Sequence, residues 1–283
     1  MAATIKPFDT QHGHAISNVL IIFEFATPLA PHAFADLKAG GSLHELLKED
    51  LPRVIEKQQM MLNFAMGAER QMVAPPVSMP GVIGGISFAS MRRDGEPALA
   101  VNIETGALYI DCGVYERWAK VADEVAHYLD ILRPWLSSVA TASLSLQYTD
   151  TFKVTFDDGQ VAPLTELFNP DSRYLPSGIG QIDDAFHSHH GFFSSPNFGL
   201  DGKILTNINV NVNRVASNFD VNIVTLHKYL LSAALPFIEG SGEINTHIAP
   251  AFKYLHDESK AVFGNVITEA VKREINFDTR KSD

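Results

Sequence analysis

Strict alternation of apolar and polar residues marks two neighbouring stretches in the second half of the chain. Residues 204–213 alternate Ile, Thr and Val with Leu and Asn, and residues 218–223 alternate Phe, Val and Ile with Asn and Asp. A period of two is typical of a half-buried antiparallel strand, because successive side chains point to opposite faces. Together with a short turn around Ala216, the pattern predicts a hairpin whose apolar side faces the core.

Further strands are predicted where short β-branched or aromatic runs end at turn-forming residues. The run Val19–Phe25 ends just before Pro28 and has the composition of a central strand. Asp94-Gly95 and Thr105-Gly106 supply turns that divide three later runs into a meander. The stretches with strand character are 19–25, 86–91, 98–103, 107–112 and 139–155, with another strand near Phe186.

Helices are predicted where apolar residues recur every three or four positions. The clearest amphipathic pattern covers residues 115–136, and a later one runs from Ile248 to Phe263. We also expect residues 226–238 to continue from the hairpin as a helix.

The segment between residues 42 and 85 gives two different signals. Ser42 and Glu45 have the spacing of a capping box, which predicts a helix that Pro52 ends or kinks before a second helical stretch to Phe64. Residues 67–85 are rich in Pro and Gly, which predicts a long surface loop.

These elements predict an α+β fold made of two packed halves, each a mainly antiparallel sheet covered by helices. A Pro-interrupted connection containing Pro163, Pro170 and Pro176 suggests the boundary. We therefore expect an N-terminal half at 1–160 and a C-terminal half at 161–283.

The charge and cysteine content narrow the class of protein. The 283-residue chain has 22 Lys and Arg against 33 Asp and Glu, a formal net charge of -11, which disfavours direct nucleic-acid binding. Cys112 is the single cysteine, so no internal disulfide can form. The longest apolar run contains Glu24 and is too short to span a bilayer. We expect a cytoplasmic protein that does not bind membranes.

A cluster of acidic and imidazole side chains between residues 183 and 190 is the sharpest chemical signal. Asp183, Asp184, His187 and His189 are residue types that divalent metals prefer. In an extended segment, His187 and His189 share one face, whereas His190 points the other way. These four residues are candidate metal ligands, and solvated polar side chains are the alternative interpretation.

A row of amide side chains follows the non-core face of the predicted hairpin. Asn is disfavoured in strands, so its repetition there needs a reason. Amide groups both donate and accept hydrogen bonds, and such a surface can recognise a ligand or a protein edge. The alternative is a polar sheet face covered by a neighbouring segment. The candidate ligand- or partner-binding residues are Asn207, Asn209, Asn211, Asn213, Asp220 and Asn222.

Two groups of short motifs resemble a sporadically distributed prokaryotic family of uncharacterised proteins. That family has a Tyr-x-x-Trp helix, a Leu-Arg-Tyr-Ile-Asn strand, and a late Leu-His helix followed by Phe and Ile-Thr. This chain has Tyr115-Glu-Arg-Trp118 and a strand at 144–150, and the resemblance covers most of its length. The matching residues are Tyr115, Trp118, Leu146, Tyr148, His256, Phe263 and Thr268.

The chain departs from this pattern inside the strand. Gln147 stands in place of the family's arginine, and Thr149-Asp150 replaces the Ile-Asn pair. The resemblance implies mostly structural roles for the matching residues. The patchy distribution of the family implies an accessory role, such as phage defence or a toxin–antitoxin module.

No established catalytic motif accompanies these features, since the chain has neither a P-loop nor a Gly-x-Ser-x-Gly elbow. We hypothesise a non-catalytic binding or sensing protein that contacts a protein partner, a second copy of itself or a small ligand, without a cofactor. The alternative is a metal-dependent hydrolase with a divalent metal at 183–190 and residues 67–85 as a lid.

Overall fold

The computed structural model describes residues 3–11, 13–61, 64–65, 72–73, 77–157, 163–196 and 199–277. These ranges contain strands and helices in a mixed order. The strands are β1 (Thr4–Pro7), β2 (Ile16–Phe25), β3 (Arg53–Met61), β4 (Phe64–Ala65), β5 (Met72–Val73), β6 (Val77–Met91), β7 (Pro97–Glu104), β8 (Ala107–Cys112), β9 (Ala140–Thr155), β10 (Phe186–Ser194), β11 (Gly202–Val215) and β12 (Asn218–Pro236). The α-helices are α1 (Phe34–Leu37), α2 (Ser42–Leu47), α3 (Trp118–Leu136), α4 (Ile248–Val266) and α5 (Glu269–Glu274).

Ten strands form one antiparallel sheet in the order β10-β11-β12-β9-β2-β8-β7-β6-β3, with β1 pairing alongside β9. The remaining two, β4 and β5, pair only with each other. The predicted α+β class, with a mainly antiparallel sheet, is confirmed. The hairpin of β11 and β12, the meander of β6 to β8 and the central position of β2 also agree with the sequence patterns.

The strands on the two sides of residue 160 belong to a single sheet, a point that the sequence patterns leave open. β9 and β12 pair from Thr155 with Asn218 to Ala140 with Pro236. Both strands carry an alternating apolar face over most of their length, and both contribute residues to the two apolar clusters of the core.

The helix expected at 226–238 is wrong, because β12 continues through this region as far as Pro236. His227 and Tyr229 are buried, whereas Leu226 and Lys228, which alternate with them, are half-buried on the other face. The period of two therefore persists past residue 223, and pairing with β9 overrides the helical propensity of the leucines.

Three expectations for the segment after residue 41 are also wrong. The stretch predicted as helical up to Phe64 contains β3, which pairs with β6 at the sheet edge. Gly41, not Ser42, precedes α2, and no side chain caps that helix. Part of the predicted 67–85 loop is strand, because β6 begins at Val77; residues 67–71 and 74–76 lie outside the described residues.

All the described helices pack on one face of the sheet, and the opposite face, which we call the open face, has no covering helix within the described ranges. The core under the helices consists of two apolar clusters. The first lies beneath α3 and the N-terminal half of α4; the second lies beneath the C-terminal half of α4 and includes α5. Among the described residues, no helix combines the length and apolar character needed to cross a membrane.

Candidate functional site

A cavity of about 150 Å³ opens where the first turn of α3, the middle of α4 and strand β9 meet. Aromatic side chains, among them Tyr115, Trp118 and Phe263, form much of its wall, and Asp150 of β9 lies on it. We call this the Asp150 cavity. A dry cavity of this volume in another protein holds a single benzene ring, so it can accommodate one ring-sized group.

Asp150 faces the core because it lies on the apolar face of strand β9. Tyr148 and Phe152, two positions to either side, point the same way and are buried. On the neighbouring strand β2, the pairing register shifts between Ile16, which opposes Asp150, and Asn18. Such a bulge puts an extra residue, Ser17, into one strand and bends it locally. The irregularity lies directly beside the carboxyl group.

The carboxyl group of Asp150 is buried, and it has no partner among the residues that the structure describes. The residue is 3% exposed, and no described residue forms a hydrogen bond or ion pair with its side chain. Burial raises the pKa of Asp150 from 3.8 to about 8, because the low-polarity surroundings disfavour the charged form. A buried, unpaired acid is costly to the fold, which is typical of sites where function and not stability selects the residue.

Beside Asp150, three side chains hold each other in place. The Tyr148 hydroxyl and His256 Nδ1 lie 2.8 Å apart in a hydrogen bond. The His256 ring stacks on Trp118 with centroids 4.6 Å apart and an interplanar angle of 3°. Burial lowers the pKa of His256 to about 4, so the ring is neutral at physiological pH. The wall next to Asp150 is therefore ordered and uncharged.

These groups continue a polar band that separates the two apolar clusters. Thr206 Oγ1 and His227 Nδ1 are hydrogen-bonded at a distance of 3.0 Å. The hydroxyl groups of Thr225 and Ser259 are hydrogen-bonded at a distance of 2.9 Å. All four are buried. The band crosses β11, β12 and β9 beneath α4 and reaches the Asp150 cavity at Ser259, which lies on the cavity wall.

Replacing Thr225 with Val should lower the free energy of unfolding by about 1–2 kcal/mol, because the Ser259 hydroxyl loses its buried partner. The double variant Thr225→Val/Ser259→Ala should recover most of that loss, since neither hydroxyl is then present. Urea unfolding measures both, with Thr155→Val at an exposed strand position as the control. A double variant at least as unstable as the single one would contradict the pairing.

Two cationic side chains lie at the cavity: Arg117, which is exposed just before α3, and Lys260, which is half-buried on α4. The Lys260 ammonium lies 5.4 Å from the centre of the Phe277 ring. Within the described part of the chain neither residue has a carboxylate partner. By contrast, Lys120 in the first turn of α3 is paired with Glu116.

The candidate metal ligands are not gathered into a metal centre. No group of three or more His, Cys, Asp or Glu side chains among the described residues lies close enough to hold an ion. His187 and His189 lie on exposed β10, where their Nδ1 atoms form hydrogen bonds with the Oδ1 atoms of Asn211 and Asn209. Asp183 and Asp184 precede this strand, and the Asp183 carbonyl accepts a hydrogen bond from Arg214.

The predicted amide row lies along the open face, as its phase in the hairpin requires. Asn211 opposes Asn222, and Asn213 opposes Asp220. Part of its hydrogen-bonding capacity is used within the sheet, because Asn222 Oδ1 accepts from the Thr151 hydroxyl at 2.8 Å. Asn207, Asn209, Asn211, Asn213, Asp220 and Asn222 therefore share one surface, and their role in binding stays a prediction.

The residues of the Asp150 cavity were not proposed as a site from the sequence. Five of the motif residues, Tyr115, Trp118, Tyr148, His256 and Phe263, come together in its wall, although their spacing suggested structural roles. Asp150 was noted only as a departure from the resembled pattern. Its position in the apolar phase of a buried strand is the signal that identifies it.

No protein-family model matches the chain, and a search of curated proteins finds no match to it. Any functional assignment must therefore come from the chemistry of the site.

Proposed function

We propose that this protein is a non-catalytic binding or sensing protein whose ligand is a ring-sized organic cation bound in the Asp150 cavity. The observation that carries the proposal is the carboxyl group of Asp150, 3% exposed, on the cavity wall, without a partner among the described residues. A cationic ligand would supply the missing partner and convert an uncompensated buried group into an ion pair.

The aromatic wall supports a cation over a neutral or anionic ligand. The faces of aromatic rings carry partial negative charge and attract ammonium, amidinium and guanidinium groups. Tyr115 and Tyr148 lie edge to face with centroids 6.2 Å apart, close to Asp150. The buried carboxyl and the aromatic rings of the cavity wall therefore both favour a cation.

Binding without catalysis is supported by the chemistry of the neighbouring groups. Cys112 is 1% exposed, and burial raises the pKa of its thiol well above the usual range, so the reactive thiolate is disfavoured. His256 is hydrogen-bonded to Tyr148 and stacked on Trp118, and no serine or cysteine of the described part of the chain is hydrogen-bonded to it. A setting in phage defence or a toxin–antitoxin module is proposed on the family resemblance alone.

Benzamidine is a suitable probe, because its amidinium matches a carboxylate in a two-point hydrogen bond and its ring fits the cavity volume. In a Trp135→Phe background, Trp118 is the sole tryptophan and reports binding by fluorescence. At pH 8 we expect benzamidine to bind and Asp150→Asn to weaken binding by at least about tenfold, as expected for losing a charge-assisted hydrogen bond.

Asp257→Asn is the matched control, because it removes the same charge from the exposed side of α4, where Asp257 pairs with Lys253. It should leave the affinity for benzamidine within about twofold. Benzoate has the same ring with the opposite charge and should bind at least about tenfold more weakly than benzamidine. Equal binding of benzoate, or of benzamidine to Asp150→Asn protein, would overturn the proposal.

A further inference from the structure

We propose that the ligand of the Asp150 cavity also carries an anionic group, a carboxylate or a phosphate, held by the N-terminus of α3 together with Arg117 and Lys260. This inference rests on the proposed function, because it assigns the second end of the same ligand. It makes the ligand a ring-sized compound with a cationic or hydrogen-bond-donating head and an anionic tail.

The N-terminus of α3 provides the first element of the anion site. Arg117 precedes the helix in extended conformation, and no side chain caps it. The first backbone bond of the helix is from Val121 to the carbonyl of Arg117, so the amides of Trp118 and Ala119 have no acceptor within the described residues. Trp118 and Ala119 both lie on the cavity. Free amides and the helix dipole favour an anion at such a position.

The two cations provide the second element. Arg117 belongs to the α3 side of the cavity and Lys260 to the α4 side. Neither is neutralised by a carboxylate of the described chain, although the protein as a whole has a net charge of -11. In so acidic a chain, two unpaired cations beside the same cavity concentrate positive potential at one place.

Asp150 is the independent observation that makes this helix terminus a site. Its buried carboxyl points to a ligand group inside the cavity, whereas the helix amides, Arg117 and Lys260 point to a group of opposite charge at another part of the wall. A purely cationic ligand would be repelled by Arg117 and Lys260, and a purely anionic one by an ionised Asp150. A ligand with both charges satisfies every element.

The experiment compares benzamidine with 4-amidinobenzoate, which has the same amidinium and ring plus a carboxylate at the opposite end. Titrations follow Trp118 fluorescence in Trp135→Phe protein at pH 8 and low salt. We expect 4-amidinobenzoate to bind at least about tenfold more tightly than benzamidine, and this advantage to shrink in 0.5 M salt because partly exposed charges are screened. 4-Amidinophenyl phosphate, as a third compound, distinguishes a phosphate from a carboxylate tail by which of the two binds more tightly.

Arg117→Gln and Lys260→Gln should each remove most of the advantage of the anionic tail and should raise the affinity for benzamidine, which lacks the tail and is repelled by both cations. Lys120→Gln is the matched control, because Lys120 lies in the same helical turn but is paired with Glu116. It should preserve the advantage.

The outcomes separate the two proposals. If benzamidine binds in an Asp150-dependent way and neither anionic tail improves its affinity, the anion site is refuted and the proposed function stands. An advantage that persists in Arg117→Gln and Lys260→Gln proteins also refutes the site. If none of the three compounds binds, both proposals are overturned.

Discussion

Between pH 6.5 and pH 8 the buried carboxyl of Asp150 should lower the free energy of unfolding by about 1.6 kcal/mol, and Asp150→Asn should abolish that contribution. In the unfolded chain the carboxyl ionises near its usual pKa of 3.8, whereas in the fold it remains protonated up to about 8. Between these values the folded state binds more protons than the unfolded state. Raising the pH therefore favours unfolding, by roughly 1.4 kcal/mol per unit.

Two buried histidines act in the opposite direction at lower pH. Burial lowers the pKa of His227 and of His256 from 6.5 to about 4, so between these values the unfolded chain binds the additional protons. Their contribution to stability is complete above pH 6.5 and is lost as the pH falls towards 4. Two histidines outweigh one carboxyl in that range, which gives a stability maximum near pH 6.5.

Chemical denaturation at half-unit pH steps measures this curve. Asp150→Asn keeps the size of the side chain and cannot ionise, so at pH 8 it should be more stable than the wild-type protein. The control Asp257→Asn, at an exposed position, should follow the wild-type curve. If wild-type stability stays level from pH 6.5 to 8, or falls equally in Asp150→Asn protein, the carboxyl is not the buried acid described above.

The affinity for benzamidine should rise by roughly 90-fold between pH 6 and pH 9 in wild-type protein, because only the ionised carboxyl pairs with the amidinium. With a pKa of about 8, Asp150 is about 1% ionised at pH 6 and about 90% ionised at pH 9. The amidinium remains charged throughout. Calorimetry at pH 7 in two buffers should accordingly detect the release of close to one proton per ligand bound.

The pH dependence of benzamidine affinity can be assigned to Asp150 by considering the other groups that face this residue. The pKa of Tyr148 is raised well above its usual value by burial, and that of His256 is lowered to about 4, so neither changes charge between pH 6 and 9. His14 also lies on the wall, and His14→Gln should retain the rise. A pH-independent affinity in wild-type protein would contradict ionisation of Asp150 on binding.

The strands of the sheet were predictable wherever the pattern of apolar and polar residues agrees with the positions of turn-forming residues. The alternation in β11 and β12 and the glycine turns of the meander fixed those strands and their phase, and the apolar spacing of α3 and α4 fixed the helices. Prediction failed where a long-range pairing decides the conformation. β3 and the end of β12 contain good helix formers, and only their partners β6 and β9 make them strands.

The candidate site was harder to predict because its parts are distant in the chain. The sequence drew attention to clusters of similar residues, the Asp and His group at 183–190 and the Asn row. The Asp150 cavity instead combines residues from five segments, and one of these residues, Asp150, differs from its neighbours only in being charged on an apolar strand face. The alternation that places Asp150 on the apolar face of its strand can be recognised in the sequence. The positions of Arg117 and Lys260 at the same cavity can be recognised only from the folded structure.

The wall of the Asp150 cavity joins Ala15, Trp118, Tyr148 and His256, positions up to 241 residues apart, to Phe277 at the end of the described chain. A ligand that touches all of these segments acts as a reversible cross-link between the beginning, the middle and the end of the chain. Release of α5 and residues 275–277 would then require the ligand to leave first. Occupancy of the cavity would thereby control how readily the C-terminal segment detaches, which is a physical means for a binding protein to report its ligand.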